Sequence, residues 1–368
     1  MKRQAFIAGV AAAPFLAKTA FADTTTLKSA AAAAGIVYGA NVRDIALINQ
    51  YPDLAALMAQ QCALVESGRN FQMAQVRPDP TSFDFSNTDA WMAWATGHGF
   101  KCAECHLVWH DANPKWVKKY VNPQNARDVI TNHVSTMVGR YAGKMYSWVV
   151  VNEAIKISDG RPDGLRDTVW LRNIGPEYLD DAFRAAAKAD PHAILLYNDG
   201  GFEYDDTPSS PAHRTAILNM LRGMLSRGVP IHALGVESHL SGKSVGFNAP
   251  GFASFLNEVS SMGLKIFISE LDLADGKFAA GGNNDATRDS MTAKGYGSYL
   301  GTALANKNVT TVINWSMADK YSWLNKWDPN GTGGKSGIQM RGLPFGFNLE
   351  STPVFDTMVD AFRAAPRR

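Results

Sequence analysis

The chain has 368 residues, 46% of them hydrophobic and 19% charged, with 36 basic against 34 acidic side chains. That length supports a large core, as one big domain or two smaller ones. The near-neutral balance, with no basic run, argues against nucleic acid as a partner.

The first residues read as a leader rather than as part of the fold. Lys2 and Arg3 precede an apolar segment, Ala5 to Ala17, and Ala20-Phe21-Ala22 offers an A-x-A-like cleavage site before Asp23. Residues 1–22 are therefore expected to be an export signal and residues 23–368 the working domain, periplasmic or secreted. The Lys-Arg-x-x-Phe-Ile order resembles a twin-arginine signal lacking one arginine, which leaves the export route open. The apolar part is short for a bilayer span, and no other long apolar run follows, so no membrane span is expected. Loss of Lys2, Arg3 and Lys18 takes the net charge from +2 to −1.

Strands and helices alternate along the rest. Short strands are expected at Gly35–Val42, Cys62–Glu66, Phe100–Trp109, Met145–Asn152, Ala193–Asn198, Ala233–His239, Lys265–Leu271 and Val309–Trp315. Helical spacing or capping marks Asp53–Gln61, Thr88–His98, Pro123–Tyr141, Pro176–Ala189, Ala212–Arg227, Phe252–Met262, Ala286–Lys307 and Pro353–Ala365. Eight of each is the count of a single-domain (β/α)8 barrel, an α/β fold whose functional groups sit at the C-terminal ends of the strands. The Gly-rich run Gly331–Ser336 lacks the earlier glycine of a phosphate loop and reads as a surface loop. Three cysteines leave at least one free thiol. Cys102 and Cys105 occupy one expected strand at odd spacing, which sends them to opposite faces and argues against a disulfide between them. No second cysteine pair suggests zinc, and neither a metal nor a cofactor is expected.

The expected strand ends carry the chemistry. Trp148-Val149-Val150-Val151-Asn152-Glu153 is a run suited to a strand buried on both faces, and it ends in a carboxylate that is costly to bury without a use. Leu264-Lys265-Ile266-Phe267-Ile268-Ser269-Glu270 repeats the form. Two carboxylates facing each other across a cleft suit glycoside hydrolysis, one donating a proton and the other attacking the anomeric carbon or activating water. Asn152 could hold a sugar hydroxyl, His239 and Asp272 could fix the Glu270 carboxylate, and Trp109, Trp315 and Trp323 offer flat faces for sugar rings. Singly, a strand-end Glu can merely pair with an Arg, and a Trp is more often core; the joint placement carries the reading.

These residues resemble glycoside hydrolase family 10, typically retaining endo-β-1,4-xylanases. The resemblance runs from about Gly39 to Phe355. It rests on the ordered set Leu107-Val108-Trp109-His110, Asn132-His133, Gly139-Arg140-Tyr141, Val150-Val151-Asn152-Glu153-Ala154, Leu165-Arg166-Asp167, Asn198-Asp199, Ser238-His239-Leu240, Ser269-Glu270-Leu271-Asp272, and Trp315, Asp319 and Ser322-Trp323. It implies that Glu153 is the acid/base, that Glu270 is the nucleophile positioned by His239 and Asp272, and that the two carboxyls stand about 5–5.5 Å apart. It also implies a β-1,4-linked polysaccharide or oligosaccharide as substrate, and a monomer is expected.

Departures from the family pattern fall on sugar-binding positions. Where the family's second strand ends in Pro-Glu-Asn-x-x-Lys, this chain has Ser67-Gly68-Arg69-Asn70-Phe71-Gln72. Cys105 replaces a histidine, Val149 an aspartate, Gly200 an aromatic and Glu237 a glutamine. Phe202 and Tyr204 are candidates to restore the lost stacking, and Arg69 suggests an acidic or decorated sugar. Glu237, if ionised beside Glu270, would raise one of the coupled carboxyl pKa values and displace the pH profile. The alternatives are the same chemistry on another β-glycan or exopolysaccharide, or a glycan-binding relative with weak catalysis. Retention of both Glu153 and Glu270 speaks against the binder.

Overall fold

A computed structural model describes residues 25–205, 209–244, 247, 249–326 and 337–368. The expected leader and the loop Gly331–Ser336 lie outside them. Ten strands are present among the described residues: β1 Val37–Val42, β2 Leu64–Ser67, β3 Lys101–Glu104, β4 Val108–Trp109, β5 Met145–Asn152, β6 Ile194–Asp199, β7 Ala233–Val236, β8 His239–Ser241, β9 Lys265–Ala274 and β10 Val309–Asn314. All pair in parallel, in the order β10-β1-β2-β3-β5-β6-β7-β9, and β10 also pairs with β9, which closes the ring. β4 prolongs the path of β3 by pairing with β5, and β8 prolongs that of β7 by pairing with β9. Eight staves result, as a (β/α)8 barrel requires.

Each expected helix is present within a few residues of its anticipated ends, including Pro52–Gln61, Ala126–Arg140, Glu177–Ala189, Asp285–Leu304 and Pro353–Ala364. Alternation along each strand divides the core in two. On β5, Trp148 and Val150 face the surrounding helices, while Val149 joins Cys105, Leu196, Ala233 and Phe267 inside the barrel. Cys102 and Cys105 lie in separate clusters, on opposite faces as their spacing implied, and all three thiols are free and buried.

Two expected strands are broken. The pairing that begins at Lys101 stops at Glu104 and resumes at Val108, so Phe100–Trp109 is two pieces. The sixth strand stops at Val236. Ser238 takes a left-handed backbone, φ 64°, before β8 begins at His239. That turn is held by a hydrogen bond from Ser238 N to the buried Glu203 Oε1 (3.0 Å). β9 carries one extra residue against β10, because Val312 pairs with Ile268 and Asn314 with Leu271. A bulge of this kind re-aims side chains at a barrel rim. It lies beside Ser269 and Glu270, adjacent residues that both hydrogen-bond to Asn198.

Candidate active site

Glu153 follows β5 immediately and has φ 49°, a backbone state that a non-glycine residue adopts only when its surroundings enforce it. Its own N–H donates to Asn198 O (2.9 Å), and the next N–H, of Ala154, donates to the Tyr197 hydroxyl (3.0 Å). That hydroxyl in turn donates to Asp199 Oδ2. Arg166 spans the turn, from Nε to Glu153 O (2.7 Å) and from one terminal nitrogen to Glu153 Oε2 (3.2 Å). The carboxyl is thus aimed by β6 on one side and by Arg166 on the other.

Glu270 lies on β9 and is held from three directions. His239 reaches Oε2 through Nε2 (3.1 Å) and reaches Asp272 Oδ1 through Nδ1 (3.0 Å). Asn198 Nδ2 donates to Oε1 (2.8 Å), and His106 Nε2 lies 3.5 Å from the same oxygen. Glu270 and Asp272 meet one imidazole because alternate strand residues share a face. Two amides link the carboxyls: Asn152 Nδ2 donates to Glu153 Oε1 (3.3 Å), and Asn198 Nδ2 donates to Asn152 Oδ1 (2.9 Å). Gly235 makes room for Asn198, since a Cβ there would stand 2.1 Å from Asn198 Oδ1.

These environments drive the two carboxyls apart in acidity. Burial, with Asp199 and Glu270 adding negative charge, pushes Glu153 up to about 7 against the pull of Arg166. Burial alone would raise Glu270 too, but hydrogen bonds from His106 and His239 outweigh it and bring it down to about 2. His239 resists its own burial because Asp272 and Glu270 hold its proton, so its pKa rises well above the ordinary range. At neutral pH one carboxyl is poised to give a proton and the other stands as an anion. This is the division of labour expected of an acid and a nucleophile.

The structure brings Glu153, Glu270, His239, Asp272 and Asn152 together. Trp323 donates through Nε1 to Asp272 Oδ2, lies 5.1 Å from His239 with the two rings tilted at 55°, and leaves 41% of its surface exposed. Trp315 stands edge-on 6.0 Å from His239 and lines a cleft of about 220 Å³ with Asn41, Arg43, Gly68, Arg69 and Gln72. Trp109, half-buried, packs 4.9 Å from His106. On the other side of Glu153, Arg166 lines a cleft of about 400 Å³ with His110, Lys156, Asp159 and Asp167. A larger cavity, about 610 Å³, is lined by Leu179, Met220 and Arg227 and touches none of these carboxyls, so chemistry rather than size locates the site.

Two expectations change. Phe202 is fully buried against Phe255 and His213 and offers no face to a sugar. Tyr204 is pinned behind β8, where its hydroxyl accepts from Ser241 N (2.8 Å) and its ring meets Phe247. Of the two neighbours Glu237 and Glu270, one is raised as expected, and it is Glu237. Burial first, then Glu270 and Glu153, push Glu237 itself well above the ordinary carboxyl range, so it stays protonated and, like the glutamine it replaces, can both donate and accept. Asp319, one of the residues that carry the resemblance, accepts from Gly342 N (2.8 Å) and Leu343 N (3.0 Å) and pins that segment. Sequence reasoning did not single out His106, Asn198, Asp199 or Arg166 as site residues. Asn198-Asp199 at a strand end was the available signal; His106 had none.

A family model described as "Glycosyl hydrolase family 10" matches residues 26–361. Among characterised sequences, "Endo-1,4-beta-xylanase B" of Paenibacillus barcinonensis is 30% identical over 302 residues, covering 78% of this chain and 85% of that protein. "Endo-1,4-beta-xylanase A" of Fusarium oxysporum f. sp. lycopersici is 33% identical over 259 residues, 68% of this chain and 74% of that protein. Among solved structures, native xylanase 10B from Thermotoga maritima superposes with a TM-score of 0.80 at 24% identity, over 92% of this chain and 98% of that one, which supports the shared fold.

Proposed function

The chain belongs to glycosyl hydrolase family 10 and is a glycoside hydrolase; from that premise we propose that it cleaves a β-1,4-xylan internally, with Glu153 as acid/base and Glu270 as nucleophile. The observation that carries this reading is the opposed acidity of two carboxyls joined by two amides. In the first step the Glu270 anion attacks the anomeric carbon while Glu153 gives its proton to the leaving oxygen. In the second, Glu153, now ionised, takes a proton from water as water displaces Glu270, and configuration is retained. His239, charged and held by Asp272, keeps Glu270 ionised and fixed in place until it attacks. Asn152 contacts Glu153 and lies one amide from Glu270, well placed to hold a hydroxyl of the reacting sugar.

Hydrolysis of xylan followed by proton NMR of fresh products tests the proposal. β-Anomers and a ladder of oligosaccharides are expected; α-anomers would overturn the roles given to the two carboxyls, and monosaccharide alone would overturn internal cleavage. A carboxylate-bearing xylan or other acidic β-glycan is a second reading, favoured by the exposed Arg69 beside Arg43 and Trp315 in the cleft toward β1, β2 and β10. In that case Arg69→Gln raises KM for acidic substrates more than for neutral ones. Export to the periplasm or medium and action as a monomer, without nucleic acid as a partner, complete the proposal. Among the described residues no helix is long and apolar enough to cross a membrane.

A further inference from the structure

Glu270 has a neighbour that the hydrolytic steps do not use, Cys105, on the same oxygen that His106 approaches. Cys105 Sγ lies 3.5 Å from Glu270 Oε1, and His106 Nε2 lies 3.5 Å from that same oxygen. One ligating atom from each of the three residues falls within 4.8 Å of the others, and all three residues are buried. Zinc binds thiolate sulfur at about 2.3 Å and imidazole nitrogen or carboxylate oxygen at about 2.0 Å, so tetrahedral ligands sit about 3.5 Å apart for sulfur and oxygen and about 3.3 Å apart for nitrogen and oxygen. The observed separations are those edges within a few tenths of an ångström.

We propose that Cys105, His106 and Glu270 form a binding site for a zinc-class divalent cation, which blocks hydrolysis by occupying the nucleophile. Thiol and imidazole donors select zinc, or cobalt as its spectroscopic substitute, over magnesium and calcium, which prefer oxygen ligands throughout. As the metal–sulfur bond forms, the thiol proton passes to solvent, so no other reactant is needed. Bound there, the cation competes with the sugar for Glu270.

The test uses the full-length protein with cobalt(II) alone as probe and no substrate, so failure of this proposal is distinguishable from failure of the proposed hydrolysis. One equivalent of cobalt should bind with a thiolate-to-metal charge-transfer band in the near ultraviolet, and zinc should displace it. Cys105→Ser should abolish the band and weaken zinc binding by about tenfold or more, while His106→Gln should keep the band and weaken binding by a similar factor. Should Cys105→Ser fail to fold, His106→Gln carries the affinity test and the wild-type band carries the ligand assignment. Binding without a thiolate band, zinc affinity unchanged in His106→Gln, or no binding at millimolar metal would each overturn the proposal.

Discussion

At the scale of single residues, two glutamates of the same intrinsic acidity are set apart by their contacts. Glu153 is lifted by burial and by Asp199, whereas Glu270 is lowered by two histidines. The proposed glycosylation step needs Glu153 protonated and Glu270 ionised, so kcat/KM should hold through mildly acidic pH and fall as pH rises through about 7. Arg166 lowers the Glu153 pKa, so Arg166→Gln should move that alkaline limb to higher pH; a limb that stays put would show that Arg166 does not tune the acid. Glu153→Gln should cut kcat by roughly 10²–10⁴-fold on substrates with poor leaving groups, the usual span for losing a positioned acid. The residues that depart from the family pattern form an interacting pair as well. A Cβ at Gly200 would stand 2.4 Å from Glu237 Oε2, so an aromatic at 200 and the present Glu237 rotamer exclude one another. Gly200→Ala should therefore lower the melting temperature, and adding Glu237→Ala should recover part of the loss; strict additivity would show that the two side chains do not compete.

At the scale of elements, the site depends on how β5, β6, β7 and β9 end. Tyr197 on β6 ties the left-handed turn at Glu153 to Asp199 through one hydroxyl. Tyr197→Phe should leave the barrel folded, cost about 1–2 kcal/mol of stability for the orphaned Ala154 N–H, and lower kcat more than it raises KM, because it loosens the aim of the acid rather than substrate binding. Thermal melts and steady-state kinetics check both halves. The strand ends also show what could be read in advance. Glu153, Asn152, Glu270 and Asp272 were legible because a buried apolar run that stops at a carboxylate bears a desolvation cost that catalysis can justify. His106 was not legible. In an unbroken strand from Phe100 to Trp109, alternation would turn it away from Cys105 and toward the helices, whereas the pairing lapses after Glu104 and the ring reaches Glu270. Phe202 failed for a related reason, since periodicity says nothing of a loop side chain that tucks back among helices.

At the scale of the whole molecule, the eightfold alternation of strand and helix was visible throughout, because each helix had caps or breakers and each strand a β-branched or apolar run. The buried acid of β2 and β3 was not visible. Glu66 and Glu104 are buried, and burial first pushes each well above the ordinary carboxyl range; the charge of Glu270 adds to this at Glu66, and Glu104 would have to ionise beside a second carboxyl, Glu66. A carboxyl whose folded pKa is raised gives its full contribution to stability below its unfolded pKa and loses it as pH rises toward the folded value. Each such group costs about 1.4 kcal/mol for every pH unit in that window. The melting temperature should therefore fall from mildly acidic toward alkaline pH. Glu104→Gln, which cannot ionise, should flatten that fall, gaining stability over the wild type at alkaline pH; an identical slope in the variant would contradict the assignment. Glu270 acts in the opposite sense, since its lowered pKa stabilises the fold above the ordinary carboxyl range and is lost only as pH falls toward about 2.

The central claim, that Glu270 attacks the sugar and Glu153 serves it as acid and base, is tested most directly by trapping. A 2-deoxy-2-fluoro xylobioside with an activated leaving group slows the second step more than the first and accumulates the glycosyl-enzyme. Peptide mapping by mass spectrometry should find one sugar, on the peptide carrying Glu270, and none in Glu270→Ala. A label on any other residue, or steady xylan hydrolysis by Glu270→Ala, would contradict the claim.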